Sequence, residues 1–372
     1  MLVIIISRGR ARVLQAKLFV LKQRKLIDLA VKGLRSIEMS EKKITISDIA
    51  DELGLSAATV SNVIHGKTKK VSRETIHRVQ ELLEKRQYIP SMAGILMAQN
   101  DTGIIGVVVN QHDKYESHVL EDAFISSSLN YLSVEIEKTG KFMMVKTTSQ
   151  IQEIVKFASM WNMEGLILIG FCEEDYICLR NSMRVPFVAY DVYQKNPERL
   201  AIIKIDNYSG GFQMGQHFKS LGHNHVLCIA DNDIYTDRER YEGFRDGFDG
   251  DGADFLLIPM LKEERLDFYK KNLEKICKYT AVFAVSDYYA IDLMGFLMSQ
   301  GIRVPQDISV AGFDDTPLCT QVFPTLTTVR QDGALRAKTA MNKLLELKED
   351  PEAGTMIVLP VTLVERESTR AV

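Results

Sequence analysis

T-I-S-D-I-A-D-E-L-G-L-S-A-A-T-V-S-N-V-I-H-G, residues 45–66, is the stretch that decides how this chain is organised. Its pattern predicts two short helices joined by a tight turn, the size of a DNA-reading helix-turn-helix. Thr45 and Asp48 fit a capping box at the start of the first helix, and Gly54 suits the left-handed residue that ends it. Ser56 suits the N-cap of the second helix. The function of the chain therefore depends on what the exposed face of that second helix contacts.

The charges of the 372 residues are unevenly distributed. Residues 1–98 hold 18 Lys/Arg against 9 Asp/Glu, whereas the remaining residues hold 28 against 40. A basic head on an acidic body indicates that only the head meets a polyanion. Residues 41–98 alone hold 9 against 7, so the N-terminal tail accounts for much of the contrast.

Cysteine usage and hydropathy favour a cytoplasmic protein. None of the five cysteines forms a C-x-x-C pair, so we expect buried, reduced thiols. They are Cys172, Cys178, Cys228, Cys277 and Cys319. Apolar runs stay well short of the ~18 residues that a membrane span needs. Met1–Ile6 is apolar, but basic residues follow it, the reverse of a secretory signal.

The basic N-terminal extension, residues 1–43, differs in composition from the rest of the chain. A basic helix of this kind could bind nucleic acid or a membrane surface. The alternative is that Met39, which begins M-S-E-K-K-I-T-I, is the natural start. We expect the first 38 residues to come from an upstream start codon, and assign them no function.

From Gly103 onward, apolar strands alternate with helices. A third helix of the head is predicted at 72–86 and stops before Pro90. The predicted strands of the body are 104–110, 142–146, 165–170, 187–190, 226–230, 255–258, 281–285, 309–313 and 357–364. The predicted helices are 119–138, 150–162, 173–182, 208–221, 238–249, 264–278, 287–300 and 332–348. This alternation predicts an α/β body of two doubly wound parallel-sheet lobes, with ligands outside the carboxyl ends of the strands.

Three blocks of sequence resemble the lactose-repressor/galactose-repressor (LacI/GalR) family of bacterial transcription regulators. The first is the helix-turn-helix with V-S-R-E-T at 71–75 and Y-I-P at 88–90. The second is I-D-N-Y-S-G-G at 205–211 with L-G-H at 221–223. The third is G-I-R-V-P-Q-D-I-S-V-A-G-F-D-D at 301–315, followed by P-T-L-T-T-V and L-V-E-R-E-S.

The resemblance implies a domain order and a function. A DNA-binding head at 44–90, a hinge linker at 91–102 and a two-lobed ligand-binding and dimerisation domain at 103–372 are expected. The body should be of periplasmic-binding-protein type, with a small-molecule effector, a carbohydrate or its derivative, in the cleft. The whole should act as a homodimeric repressor on double-stranded operator DNA, and ligand binding should change its DNA affinity.

The second helix should lie in the major groove. The residues that the family pattern places at DNA are Thr45, Ser56, Ala57, Ala58, Thr59, Ser61, Asn62, His65, Lys70, Thr75, Tyr88 and Met97. Asn62 can bond an adenine edge, whereas Ala57 and Ala58 can only contact thymine methyl groups. Met97 stands where the family has a minor-groove leucine wedge. The alternatives are that Thr45 and Ser56 only cap helices and that Asn62 is a solvated helix residue.

In the cleft the family positions point to Phe171, Asp191, Arg240, Asp287 and Asp314. Carboxylates accept hydroxyl hydrogens, an arginine fork donates to ring oxygens, and an aromatic face covers C–H groups. Arg240 could instead form a surface ion pair with Glu239 or Glu242, and Asp314 could simply serve a turn. The segment N-Q-H-D-K-Y-E-S at 110–117 is atypical for the family.

The main alternative function is a solute-binding protein of a transport system, without a DNA role. The missing signal peptide and the N-terminal head argue against it. An enzyme is not indicated, because the sequence has no phosphate loop, no nucleophile elbow and no H-E-x-x-H motif. No cofactor and no metal site are predicted, and His223 and His225 are expected at the surface.

Overall fold

The computed structural model describes residues 44–88, 102–192, 199–249 and 252–372. The predictions for the extension at 1–43, for the linker at 91–101 and for Met97 lie outside these residues. The chain divides into two compact units, Met1–Asn100 and Asp101–Val372. The first is called the head and the second the body.

The head consists of α1 (Ile46–Leu53), α2 (Ala57–Ile64) and α3 (Arg73–Lys85), with a 3₁₀ turn at Thr68–Lys70.

The predicted caps of the head are confirmed. Thr45 accepts a hydrogen bond from the Asp48 N–H and donates its own N–H to the Asp48 carboxylate at 2.8 Å. Gly54 has φ 66°, a conformation that costs glycine little. Ser56 and Ser72 accept from the N–H groups of Thr59 and Thr75. Three helices too short to be stable alone therefore begin and end at defined residues.

An apolar core holds the three head helices together. Ile49, Val60 and Val79, one from each helix, are fully buried against each other. The Arg86 guanidinium donates to the Glu52 carboxylate at 2.8 Å and so joins the end of α3 to α1. The core uses one face of each helix, which leaves the opposite face of α2 exposed.

The body alternates strands and helices throughout. The strands are β1 (Ile104–Val109), β2 (Phe142–Thr147), β3 (Gly165–Ile169), β4 (Phe187–Tyr190), β5 (Ala201–Ile205), β6 (Val226–Ala230), β7 (Ala253–Leu257), β8 (Ala281–Ala284), β9 (Ser309–Asp314), β10 (Thr327–Gln331), β11 (Thr355–Leu359) and β12 (Val361–Val364). The helices are α4 (Ala123–Lys138), α5 (Ile151–Met160), α6 (Glu173–Ser182), α7 (Asn207–Ser220), α8 (Tyr235–Phe248), α9 (Lys262–Ile276), α10 (Asp287–Ser299) and α11 (Gly333–Glu349).

The two predicted lobes are confirmed as two six-stranded sheets. Lobe 1 is built on strands in the order β11-β5-β4-β3-β1-β2, and lobe 2 on β12-β10-β9-β8-β6-β7. All neighbours are parallel except β10 and β12. Strands β1, β3, β8 and β9 are almost continuously buried, as expected where helices cover both faces.

Three sequence predictions of strands were wrong or incomplete. Strands β5 and β10 were missed, and the predicted strand 357–364 is two strands that belong to different lobes. Val361 pairs with Gln331 of lobe 2, whereas Leu359 pairs with Ile205 of lobe 1. The chain therefore crosses between lobes three times: after β5, after β10 and between β11 and β12.

Helix α4 is shorter than predicted, and α8 begins earlier. Residues 119–121 form a separate 3₁₀ turn, because Asp122 caps α4 by accepting from the N–H groups of Phe124 and Ile125. Helix α8 begins at Tyr235 rather than at 238. Both changes place side chains of the loops after β1 and β6 at the same edge of the body.

Helices α7 and α8 touch through glycine. A Cβ built on Gly211 would lie 2.0 Å from the Arg240 carbonyl oxygen, and one on Gly243 would lie 2.0 Å from that of Tyr208. No side chain fits in either place, so the two backbones pack directly against each other. Asn207 at the start of α7 is thereby held beside Arg240 of α8.

Burial differs from the prediction at two kinds of residue. Cys172, Cys178 and Cys277 are exposed and only Cys228 and Cys319 are buried, all five as free thiols. His223 was expected at the surface but is 3% exposed, and its Nδ1 lies 2.8 Å from the Thr280 hydroxyl. The residue follows the turn after α7 and packs its ring edge-on against Phe218.

We predict that His223 makes the stability of the body fall in acid. Burial lowers the pKa of His223 from 6.5 to about 4, so between these values the unfolded chain binds a proton that the native protein does not. The contribution of His223 to stability is therefore complete above pH 6.5 and is lost as the pH falls towards 4. Over this pH range the free energy of unfolding of the His223→Gln variant should fall by about 2 kcal/mol less than that of the wild type. Urea unfolding at several pH values measures the difference. Parallel pH profiles for the two proteins would contradict the prediction.

Candidate DNA-binding surface and ligand cleft

The outer face of α2 is polar and accessible. Ala57, Ala58 and Asn62 are exposed, while Ser61 and His65 are half-buried. Val60 and Val63, which alternate with them, are buried in the head core. The side chains placed at DNA by the sequence are therefore on the side of α2 away from the core.

The stretch of sequence that contains α2 and the turn after it has no acidic residue. Residues 54–73 contain Lys67, Lys69, Lys70 and Arg73 but no Asp or Glu. The three lysines lie in or beside the 3₁₀ turn that follows α2, and all are exposed. Exposed cations without intervening carboxylates favour contact with phosphates.

Several predicted phosphate contacts also serve the fold. The hydroxyls of Ser56 and Thr59 lie 2.9 Å apart. Those of Ser72 and Thr75 lie 2.8 Å apart. Tyr88 packs on the head core, and burial raises the pKa of its phenol. Capping of Thr45 and Ser56 is confirmed, and contact with DNA remains a prediction for all of these residues.

The body contains a cleft of about 680 Å³ between its lobes. It lies at the carboxyl ends of strands from both sheets, where ligands bind in open α/β folds. Four of the five predicted ligand residues line it: Phe171, Asp191, Arg240 and Asp314. Phe171 is held edge-on by Tyr176, with 6.3 Å between the ring centroids.

Arg240 is a buried cleft residue, and the alternative of a surface ion pair with Glu239 or Glu242 is wrong. The residue is 6% exposed, donates from Nε to Asn207 Oδ1 at 2.9 Å and donates to the Val285 carbonyl. Its guanidinium stacks 3.7 Å above the centroid of Phe313. Asn207 begins the helix after the first crossover, so the hydrogen bond from Arg240 to Asn207 connects the cleft to that crossover.

A chain of hydrogen bonds runs from Asp314 in lobe 2 to Asp191 in lobe 1. Arg240 lies 3.7 Å from Asp314 Oδ1, which also accepts from Gln331 Nε2 at 2.6 Å. Gln331 in turn accepts from Arg336, whose other nitrogen donates to Asp191. Gln331 ends β10 at the second crossover, so lobe movement must change these bonds. Burial raises the pKa of Asp314 to about 8, which Arg240 opposes.

Two further carboxylates that the sequence analysis missed face the cleft from lobe 2. Asn232 Nδ2 donates to both Asp231 and Asp237 at 2.9 Å. Burial raises the pKa of Asp237 to about 7, against the effect of Arg240. Lys114, from the atypical segment after β1, lines the same cleft. Burial opposes its charge, but Tyr115 and Asp231 raise the pKa of its ammonium group.

Asp287 is not a cleft residue, which corrects the prediction. It is 1% exposed, and its carboxylate accepts from the Thr316 N–H, the Thr328 hydroxyl and the Cys319 thiol. Burial raises its pKa to about 6, and these hydrogen bonds oppose the rise. Asp287 begins α10 directly below the cleft floor and joins that helix to β10.

The missed cleft residues have recognisable positions. Asp231 directly follows β6 and Asp237 lies in the first turn of α8, just after the same loop, so a place at the carboxyl end of this predicted strand was inferable for both. Gln331 was missed because β10 was missed. Asn110 and Lys114 fall in the segment 110–117, whose departure from the family pattern was the available indication.

Two family models match this chain. The model described as bacterial regulatory proteins, lacI family, matches residues 45–91. The model of a periplasmic binding protein-like domain matches residues 216–369.

Curated relatives match over nearly the whole chain. The HTH-type transcriptional regulator DegA of Bacillus subtilis is 28% identical over 349 residues, which cover 88% of this chain and 98% of DegA. The HTH-type transcriptional repressor PurR of Aliivibrio fischeri is 27% identical over 325 residues, which cover 83% of this chain and 93% of PurR.

Solved structures show the same fold. The lac repressor dimer bound to operator and the anti-inducer ONPF has a TM-score of 0.76 at 24% identity, covering 89% of this chain and all of that one. The complex of the transcriptional regulator CelR with cellobiose has a TM-score of 0.62 at 22% identity, and the match covers 87% of this chain and 99% of the CelR chain.

The fold and the two sites define a ligand-responsive DNA-binding protein with a helix-turn-helix head and a periplasmic-binding-type body. The head matches the model of the lacI family of bacterial regulatory proteins, the body matches the periplasmic binding protein-like model, and the relatives similar to both parts are HTH-type transcription regulators. A transport role is not supported, because the relatives that match head and body together are transcription regulators. None of the helices in the described ranges has the length and apolar character needed to cross a membrane.

We predict that Asp287→Ala destabilises the body. The change leaves three buried donors without their acceptor, so the free energy of unfolding should fall by about 2–4 kcal/mol. The matched control is Asp267→Ala, whose exposed carboxylate contacts Lys270 on the same helix and no other cation among the described residues. Its effect should stay within about 0.5 kcal/mol. Equal effects of the two substitutions in urea unfolding would contradict a structural role for Asp287.

Proposed function

We propose that this regulator is a cytoplasmic repressor that binds pseudo-palindromic operator DNA as a homodimer and senses a sugar or sugar derivative. The observation that carries the proposal is the joining of two features in one chain. Helix α2 and the turn after it, residues 54–73, contain Lys67, Lys69, Lys70 and Arg73 but no Asp or Glu, and the body holds a polar cleft between two lobes. The operator-bound lac repressor dimer and the cellobiose complex of CelR share this fold and support the proposal. No catalytic role is proposed.

In DNA recognition, Asn62 is the residue best suited to read a base. Its exposed amide can pair bidentately with an adenine edge, and Ser61 and His65 on the same face add hydroxyl and imidazole groups. Ala57 and Ala58 let the helix approach closely and contact thymine methyl groups. The lysines after α2 bind phosphates, so affinity should fall steeply with salt. Met97 is proposed as the wedge in the minor groove.

In the cleft, unpaired buried acceptors favour a ligand rich in hydroxyls. Among the described residues, Asn110 Oδ1 and Asp191 Oδ1 are buried and have no hydrogen-bond partner. A buried acceptor without a donor is costly, and a ligand hydroxyl would remove that cost. The carboxylates of Asp231 and Asp237 accept further hydroxyls, and Phe171 offers an apolar wall for a sugar ring.

Effector binding is proposed to act through the crossovers. A ligand held by Asp191 of lobe 1 and Asp314 of lobe 2 changes the bonds through Gln331 and Arg336 and so biases lobe closure. In a dimer, the spacing of the two heads follows lobe closure. Any change that the effector makes in DNA affinity must appear equally as a change that DNA makes in effector affinity.

The first test is Asn62→Ala in the full-length protein. Loss of the amide should weaken binding to the target DNA by about tenfold or more and reduce discrimination at one base pair. Fluorescence anisotropy with DNA from upstream of the chain's own gene, against a scrambled duplex, measures both. Gln80→Ala, an exposed amide on α3, is the matched control and should change little. Equal binding of wild type to scrambled DNA would contradict sequence-specific regulation.

The second test concerns the cleft. A thermal-shift screen of sugars, sugar phosphates and nucleobases on the full-length protein identifies a stabilising effector. Asn110→Ala should weaken its binding by about tenfold, since a buried hydrogen bond is lost. Asn130→Ala, an exposed change on α4, serves as control. An effector whose affinity is the same in both variants and wild type binds elsewhere and would contradict the proposed cleft.

A further inference from the structure

A second, smaller cavity of about 270 Å³ adjoins the cleft at the second crossover. Its walls come from α4 and the start of α11 in lobe 1, and from the loop after β9 in lobe 2. Tyr190, Asp314 and Gln331 line both cavities and so form the boundary between them. A ligand in the cleft therefore has a direct neighbouring space for one of its substituents.

Three guanidinium groups line this smaller cavity: those of Arg330, Arg336 and Arg366. Arg330 donates from Nε to Asp315 Oδ2 at 2.6 Å, and Arg366 donates to the other oxygen of the same carboxylate. Two positive charges thus share one negative charge. Arg336 is paired with Asp191 and Asp314 faces Arg240 of the cleft, so one of the three cations is left in excess.

The cavity also offers donors that the protein does not use. Arg336 is 2% exposed, and its Nε has no hydrogen-bond partner among the described residues. Within the same residues, Arg330 donates only from Nε, which leaves its terminal nitrogens for a ligand. The hydroxyls of Ser127 and Ser128 on α4 make no hydrogen bond in the described parts of the chain. Guanidinium and hydroxyl donors together are the groups that bind oxyanions.

The two cavities differ in the sign of their charge. Six carboxylates and two cations, Lys114 and Arg240, line the large cleft. Three cations and only two carboxylates, Asp314 and Asp315, line the small cavity. A ligand with separate polyhydroxyl and anionic parts matches this division, because each part meets groups of the complementary kind.

We infer that the small cavity binds the anionic group of the effector, a phosphate or carboxylate attached to a polyhydroxyl body. This inference rests on the proposed function, because it extends the effector cleft. Arg330, Arg336 and the two serines of α4 are the donors. Because Arg330 and Arg336 lie on either side of the second crossover, the anion joins the two lobes there and favours their closure.

The test is the binding of inorganic phosphate and of acetate to the full-length protein at constant ionic strength. Trp161, the single tryptophan of the chain, lies in lobe 1. Its fluorescence follows unfolding of the body without a contribution from the head, which also attracts anions. An anion bound to the native body raises the unfolding midpoint, and the dependence on concentration gives its Kd.

Arg330→Gln should weaken binding of the preferred anion by about tenfold, since charge-assisted hydrogen bonds are lost. Arg366 still holds Asp315 in this variant, so the fold is retained. Arg303→Gln is the matched control, because Arg303 is also an exposed guanidinium paired with an aspartate, Asp307. Ser127→Ala with Ser128→Ala is a second variant that tests the site without changing its charge.

Stabilisation by phosphate that is lost in Arg330→Gln and kept in Arg303→Gln supports a phosphate group, and the same pattern with acetate supports a carboxylate. Stabilisation that is equal in all variants, or absent with both anions, overturns the inference. DNA binding of the same preparations is measured in parallel. Intact specific DNA binding without Arg330-dependent anion binding contradicts this inference alone, whereas loss of specificity for DNA contradicts the proposed function.

Discussion

The direct contact between the backbones of α7 and α8 is the constraint on which the cleft depends. Gly211 and Gly243 leave no room for a side chain between the helices, so the first turn of α7 lies beside Arg240. Helix α7 starts at the first crossover, and α8 carries Arg240 and Asp237 into the cleft. A larger side chain at either glycine would separate the helices, and the ligand-facing groups of lobe 2 would lose their relation to the crossover.

Charge in the cleft is arranged in bonded chains that cross between the lobes. Arg240, Asp314, Gln331, Arg336 and Asp191 contact one another in sequence, and two of them stand at or beside a crossover. Buried charges of this kind contribute little net stability, because desolvation offsets their attraction. They do make lobe geometry sensitive to any group that competes for the same atoms, which is the property that a sensor needs.

Much of the architecture follows from local pattern. Caps at Thr45, Ser56 and Ser72 and the left-handed Gly54 were predictable, because side-chain oxygens and a missing Cβ act within a few residues. Strands β5 and β10 were not, since Lys204 and Arg330 interrupt the apolar pattern and pairing with distant strands decides the outcome. Phe171, Asp191, Arg240 and Asp314 were placed in the cleft correctly. Asp287 was not, because only packing shows that its carboxylate is fully bonded beneath the floor.

By itself the sequence determined the helix-turn-helix, the two-lobed α/β body and the resemblance to the LacI family, since periodicity, caps and motif order are properties of the chain. Only the tertiary structure decided which charged side chains pair with each other and which cavity each of them lines. Asp191, Asp314 and Asp315 all have positive φ, a conformation that aspartate adopts more readily than most residues, but the sequence around them does not show which aspartates adopt it. The division into an acidic cleft and an arginine-lined cavity is also decided by the tertiary structure. Each cavity brings together residues more than a hundred positions apart, and the pairing of their charges depends on which hydrogen bonds form in the folded chain.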